Sequence, residues 1–243
     1  MNNEKMKKIY RITVIVTTSI MILLIGRSMI KSYLIYSKVQ NSDPAVWEKE
    51  IQRYESADKK RKPFANGILF VGSSTFKEWE SLRDDMRPMY VINRGFGGAR
   101  MSDLLYYADR IIIPYNPKLV VLYAGDNDLT EGEKITPEKL LENTKKLTQY
   151  IHEKLPDTKI YFISIKPCEH RWSFWPEIQK ANQMIKDFSV QTRYFVFIDI
   201  ASRMLTKEGQ PVKELFMWDG LHLNERGYHL WARTIREITI TDY

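Results

Sequence analysis

One cysteine, Cys168, occurs in 243 residues, so no disulfide can close within the chain. A small secreted scaffold stapled by bridges is thereby excluded. Histidine is nearly as scarce, with His152, His170, His222 and His229. No two of them stand at His-x-x-x-His spacing and Cys168 has no second cysteine, so no zinc or other metal site is expected. No alanine precedes Ala45, hence no A-x-A cleavage pattern follows the N-terminus. The chain also lacks G-x-S-x-G, G-x-G-x-x-G and a Walker lysine. These absences disfavour an α/β-hydrolase elbow and a nucleotide-binding loop.

Acidic residues are nearly missing from one end. Residues 1–38 hold seven Lys/Arg and one acid, Glu4. That segment carries +6 of the chain's formal +7, which leaves +1 for residues 39–243. A near-neutral main domain has little of the basic footprint that nucleic acid binding needs, so none is expected.

What is present begins with ITVIVTTSIMILLIG, residues 12–26, uncharged and preceded by Lys5, Lys7, Lys8 and Arg11. This is the charge order of an export signal. The run is short beside the ~20 apolar residues of a spanning helix, but Arg11 can snorkel and lend Ile9 and Tyr10 to the span. Without a good cleavage site, an uncleaved signal anchor is favoured over a cleaved, secreted form. The basic end then stays in the cytoplasm and the remainder faces outward, single-pass. The expected organisation is a tail, transmembrane anchor and connector over 1–38, an amphipathic helix and linker over 39–66, and the main domain over 67–243. Asp43-Pro44 offers an N-cap and a first-turn proline, and Trp47, Ile51 and Tyr54 follow at helical spacing.

From Gly67 onward, short apolar runs alternate with amphipathic stretches. The runs are 68–71, 90–93, 119–125, 159–165 and 194–200, and the helical stretches lie near 100–112, 137–154, 176–190 and 225–238. Continuous apolarity means burial on both faces, so the spacing predicts a five-stranded parallel sheet in an α/β fold. Such sheets take ligands at the carboxyl ends of their strands. Those ends carry Gly72-Ser73-Ser74, Asn93 to Gly98, Gly125-Asp126-Asn127-Asp128 and Lys166-Pro167-Cys168. Trp218-Asp219-Gly220-Leu221-His222 precedes the last helix. A hydroxyl, a base with a carboxylate three residues before it, a glycine loop and an amide are the groups that acyl transfer requires.

The blocks FVGSST, NRGFGGA, YAGDND and DGLH occur in that order between residues 70 and 222. In them the chain resembles the SGNH hydrolases, the GDSL family of esterases and lipases. The resemblance covers most of residues 67–238. It implies a flavodoxin-like three-layer α/β/α domain that hydrolyses esters without a cofactor. Carried onto this sequence, it makes Ser74 the nucleophile, with Asp219 and His222 completing the triad. It places Gly98 and Asn127 beside the Ser74 backbone N–H in the oxyanion hole. One position departs: the family's GDS reads GSS here, which makes Ser73 a rival hydroxyl. Trp172 and Trp175, past the fourth strand, either wall a substrate pocket or plug the end of the sheet. The expected substrate is a small-molecule, glycan or lipid ester, with a carbohydrate or cell-envelope O-acetyl ester among them. The competing function is a non-catalytic binding module on the same scaffold.

Overall fold

The computed structural model describes residues 3–243, which divide into one compact unit ending at Lys38 and a second, Val39–Tyr243. The first unit is made by helix α1 (Asn3–Gln40), whose last two residues belong to the second. Within it, Met6–Ile30 is long and apolar enough to cross a membrane, and none of its apolar window is buried. Those 25 residues rise about 37 Å, more than the ~30 Å of a hydrocarbon core. The uncharged run alone underestimates the span, because the helix continues through Arg27 and apolar residues on both flanks join it.

The second unit contains segment 39–66 as well as the sheet domain. Asp43 caps a 3₁₀ turn (Pro44–Trp47) by accepting from Ala45 N–H at 2.9 Å. Helix α2 (Glu48–Lys60) follows and buries Ile51. The strands are β1 (Ile68–Gly72), β2 (Val91–Gly95), β3 (Leu119–Tyr123), β4 (Lys159–Ile163) and β5 (Phe195–Ile198). The helices between them are α3 (Ser74–Lys77), α4 (Leu82–Asp85), α5 (Met101–Tyr106), α6 (Ala108–Ile111) and α7 (Asp126–Thr130). They continue with α8 (Pro137–Lys154), α9 (Trp175–Ser189) and α10 (Glu225–Thr239).

All five strands are parallel, in the order β2-β1-β3-β4-β5. Side chains alternate across a strand, so β1 sends Leu69 and Val71 to one face and Ile68 and Phe70 to the other. The first pair joins a core that includes residues of α2, α5, α8 and α9. The second joins Phe76, Trp79, Tyr228 and Trp231. Burial on both faces is why these strands read as unbroken apolar runs. The order reverses direction at β1, which lies between β2 and β3, and the crevice at such a switch point is where open α/β sheets bind ligands.

Candidate active site

Gly72 ends β1 in register with Gly95 of β2 on one side and Tyr123 of β3 on the other. The loop after β1 therefore lies between the Gly95–Gly98 loop and the Gly125–Asp128 turn. A Cβ at Gly72 would stand 2.0 Å from the Tyr123 carbonyl oxygen, so only glycine allows β1 to end this close to β3. Ser74 then opens α3, where a backbone N–H has no intrahelical acceptor.

Ser73 and Ser74 part ways here. Ser73 is 0% exposed. Its hydroxyl has no hydrogen-bond partner, and it makes no side-chain cap on α3. Ser74 is partly exposed, and its Oγ lies 3.2 Å from His222 Nε2. On the far side of the ring, His222 Nδ1 is 2.6 Å from Asp219 Oδ2. The other carboxylate oxygen, Asp219 Oδ1, accepts from the backbone N–H of Leu221 and of His222, each at 2.9 Å. Those two bonds curl 219–222 into a tight turn, which is how three residues of separation bring carboxylate and ring together. Burial pushes the Asp219 carboxyl up, but the ring and the two backbone donors outweigh it and hold it below the usual range. An ionised Asp219 fixes the Nδ1–H tautomer and leaves Nε2 as the acceptor toward Ser74.

The turn is braced from two sides. His170 N–H donates to the Gly220 carbonyl at 3.2 Å. Asn224 caps α10 by accepting from Gly227 N–H and ties back to the carbonyls of Glu214 and Phe216. Tyr228 OH donates to the Thr75 carbonyl at 3.0 Å, which links the helix after the histidine to the helix of the serine.

Gly98 lies on one flanking loop and Asn127 in the first turn of α7. Gly98 has φ +76°, and a Cβ there would meet Val39 Cγ2 at 2.2 Å. Asn127 Nδ2 donates to the Ala99 carbonyl at 3.1 Å, joining the loop to the helix. Asp128 does the same from the backbone side, since both its oxygens accept from Met101 N–H at 3.1 Å. Burial pushes the Asp128 carboxyl up to about 7, against that N–H and with Asp103 adding to the rise.

Two buried cations beneath the rim are given no role by the sequence. Lys166 is buried and donates from Nζ to Tyr123 OH at 3.1 Å and Thr75 Oγ1 at 3.3 Å, with Asp126 Oδ2 at 3.5 Å. Arg171, also buried, reaches Asp126 Oδ2 at 2.9 Å, Asn127 Oδ1 at 2.8 Å and Glu131 Oε1 at 3.1 Å. Burial pushes the Asp126 carboxyl up, but Arg171 and Lys166 reverse this and hold it ionised below its usual range. Two cations thus face two carboxylates beneath the rim. The available signal is Lys166 itself, a charge just past β4 after the uncharged run 160–165.

The aromatic pair packs on the core of the sheet domain. Trp172 and Trp175 stack on each other at 5.6 Å. Trp175 is buried in the core and lines a cleft with Gln179, Asn182 and Phe197. The aromatic nearest the triad in sequence is Trp218, 94% exposed and adjacent to Asp219.

Residues 66–230 match the GDSL-like lipase/acylhydrolase family, and the chain belongs to it. That family is one of lipases and acylhydrolases. Among curated proteins it is 27% identical over 188 residues to the N-acylneuraminate cytidylyltransferase of Escherichia coli O18:K1:H7. The match takes 74% of this chain and 42% of that protein, so the chain spans less than half the length of this relative. Among solved structures it is similar to a GDSL-like lipase from Bacteroides thetaiotaomicron, with TM-score 0.68 and 19% identity, covering 79% of this chain and 98% of the other. It is also similar to a catalytic mutant of an acetylxylan esterase from Geobacillus stearothermophilus, with TM-score 0.60 and 14% identity over 72% and 94% of the two chains. At these identities the structures share the fold alone.

Proposed function

We propose that Ser74, His222 and Asp219 form the triad of an esterase that works through an acyl-enzyme and removes an O-acyl group, acetyl first among them, from a carbohydrate. The observation that carries this is the unbroken relay from Asp219 Oδ2 through the His222 ring to Ser74 Oγ. Ser74 Oγ attacks the acyl carbonyl carbon while its proton passes to His222 Nε2. The oxyanion is received by the Ser74 and Gly98 N–H groups and Asn127 Nδ2. Its collapse expels the alcohol, which takes the proton from His222. Water then attacks the acyl-serine with His222 again as base, and the acid departs. No cofactor takes part.

The carbohydrate assignment draws on the names of an acetylxylan-esterase neighbour and an N-acylneuraminate relative, and Trp218 supplies a ring face beside the triad for a sugar to stack on. The basic N-terminus supports an anchored enzyme with its catalytic unit outside the cytoplasm. A lipid ester is the second reading, favoured by the exposed apolar pair Met217 and Trp218.

The test is hydrolysis of acetylated oligosaccharides, p-nitrophenyl acetate and p-nitrophenyl octanoate by the wild type and three variants. Ser74→Ala falls to background and His222→Ala loses about 10²–10⁴-fold in kcat. Ser73→Ala stays within about twofold, and its stability holds or rises by up to ~1 kcal/mol because a buried unpaired hydroxyl is removed. A Ser74→Ala protein as active as wild type would falsify the nucleophile. Preference for octanoate over every acetyl ester would replace the sugar ester with a lipid one. A well-folded wild type with no turnover would leave a binding module.

A further inference from the structure

An amide side chain serves an oxyanion only with its nitrogen forward, and a free asparagine can turn either way. At Asn127 the two neighbours decide. The Ala99 carbonyl can only accept, and it takes a hydrogen from Nδ2 at 3.1 Å. The Arg171 guanidinium can only donate, and Nη2 gives to Oδ1 at 2.8 Å. A flipped amide would set two donors against each other at Arg171 and two acceptors at Ala99. One Nδ2 hydrogen is held by Ala99, and the other stays free for a substrate oxygen.

Arg171 is itself fixed. Nη1 pairs with Asp126 and Nη2 is shared with Glu131. Its planar fork holds several donors in fixed directions, so one residue meets two carboxylates and an amide at once. A cation on Oδ1 also draws electron density from the amide and strengthens Nδ2–H as a donor.

We propose that Arg171 is a positioning residue for ester hydrolysis, which sets and polarises the Asn127 amide through Oδ1 so that Nδ2 can receive the oxyanion. This rests on the esterase reading above, and it assigns work to a buried ion cluster that the triad does not use.

The experiment is a double-mutant cycle on the full-length protein with Arg171→Lys and Asn127→Ala, joined by the amide NMR of the ¹⁵N-labelled wild type and variants. Arg171→Lys keeps a cation opposite Asp126 and so preserves the fold better than a neutral residue. Melting curves for all four proteins identify any that is unfolded, and Glu131→Gln, which loosens the same guanidinium, then replaces it. In the Asn127-intact background Arg171→Lys lowers kcat about tenfold or more with KM unchanged, and in the Asn127→Ala background it costs less than about twofold. The Nδ2 signals of Asn127, assigned by their loss in Asn127→Ala, shift and exchange faster in Arg171→Lys. An equal loss in both backgrounds, or unmoved Nδ2 signals, overturns the proposal. If the wild type hydrolyses no ester, the esterase reading has failed, while the NMR arm still decides whether Arg171 holds the amide.

Discussion

Asp128 shows how one side chain can serve the site's geometry while opposing the fold. Its two oxygens accept from Met101 N–H and so tie the turn after β3 to α5. It does so fully buried, with Asp103 and Asp126 raising its pKa and Arg100 lowering it. A carboxyl that ionises near 4 in the unfolded chain and near 7 in the folded one binds more protons in the native state across that interval. Stability from this group is whole below about pH 4 and lost as pH rises through about 7. Asp128→Asn keeps an acceptor for Met101 and does not titrate. Urea unfolding should find the variant and wild type alike near pH 4, with the variant ahead by a few kcal/mol at pH 8, at about 1.4 kcal/mol per unit. A difference that does not vary with pH would show that Asp128 does not titrate between those limits. The blocks that contain Ser74, Asn127 and His222 were legible because their residue types are rare in combination and fall at strand ends. Lys166 and Arg171 were not, because charged residues are read as surface by default. Only the tertiary placement of Asp126 and Glu131 makes their burial tolerable.

Elements place the residues, and the joint that matters most is between α3 and α10. The first holds the nucleophile and the second follows the histidine. Phe76 meets Trp231 edge-on at 6.3 Å, Tyr228 OH reaches the Thr75 carbonyl, and Trp79, just past α3, stacks on Tyr228 at 5.0 Å. Ser74 and His222 are 148 residues apart in sequence, so this clasp fixes their separation. Tyr228→Phe keeps the stack and removes the hydrogen bond. It should cost about 1 kcal/mol, lower the Tm by ~2–4 °C and reduce kcat by ~2–10-fold with little change in KM. An unchanged kcat at the lowered Tm would mean that aromatic packing alone sets the distance. The apolar runs and amphipathic stretches located every strand and every long helix of the sheet domain. They missed that the stretch 100–112 is two helices, broken at Tyr107 with φ −96° and ψ 5°. Periodicity continues across such a break, since both halves bury the same face.

At the scale of the whole molecule, the boundary between anchor and enzyme is itself a prediction. The sequence places the end of the anchor and connector at Lys38 and reads 39–66 as an amphipathic helix and linker. The compact unit begins at Val39, and the two residues after Lys38 are engaged. The Val39 carbonyl accepts from Arg100 Nη2 at 2.9 Å, and Gln40 Nε2 donates to Glu131 Oε2 at 3.0 Å. Arg100 lies two residues past Gly98, and Glu131 also holds Arg171. The start of the unit is thus joined to both segments proposed to receive the oxyanion. A protein of residues 39–243 should be soluble and turn over esters like the full chain, which should sediment with membranes. A protein of residues 43–243 loses both contacts, each a hydrogen bond to a charged group and partly exposed, for roughly 1–3 kcal/mol in all. Its Tm should fall by several degrees. Its kcat should fall as well, because Glu131 and Arg100 are freed together. Equal Tm and kcat for the two truncations would show that the connector only tethers the enzyme. A lower Tm with unchanged kcat would confine its role to stability. A drop in both would make Val39 and Gln40 working parts of the catalytic unit, reached by the chain just before the enzyme domain begins.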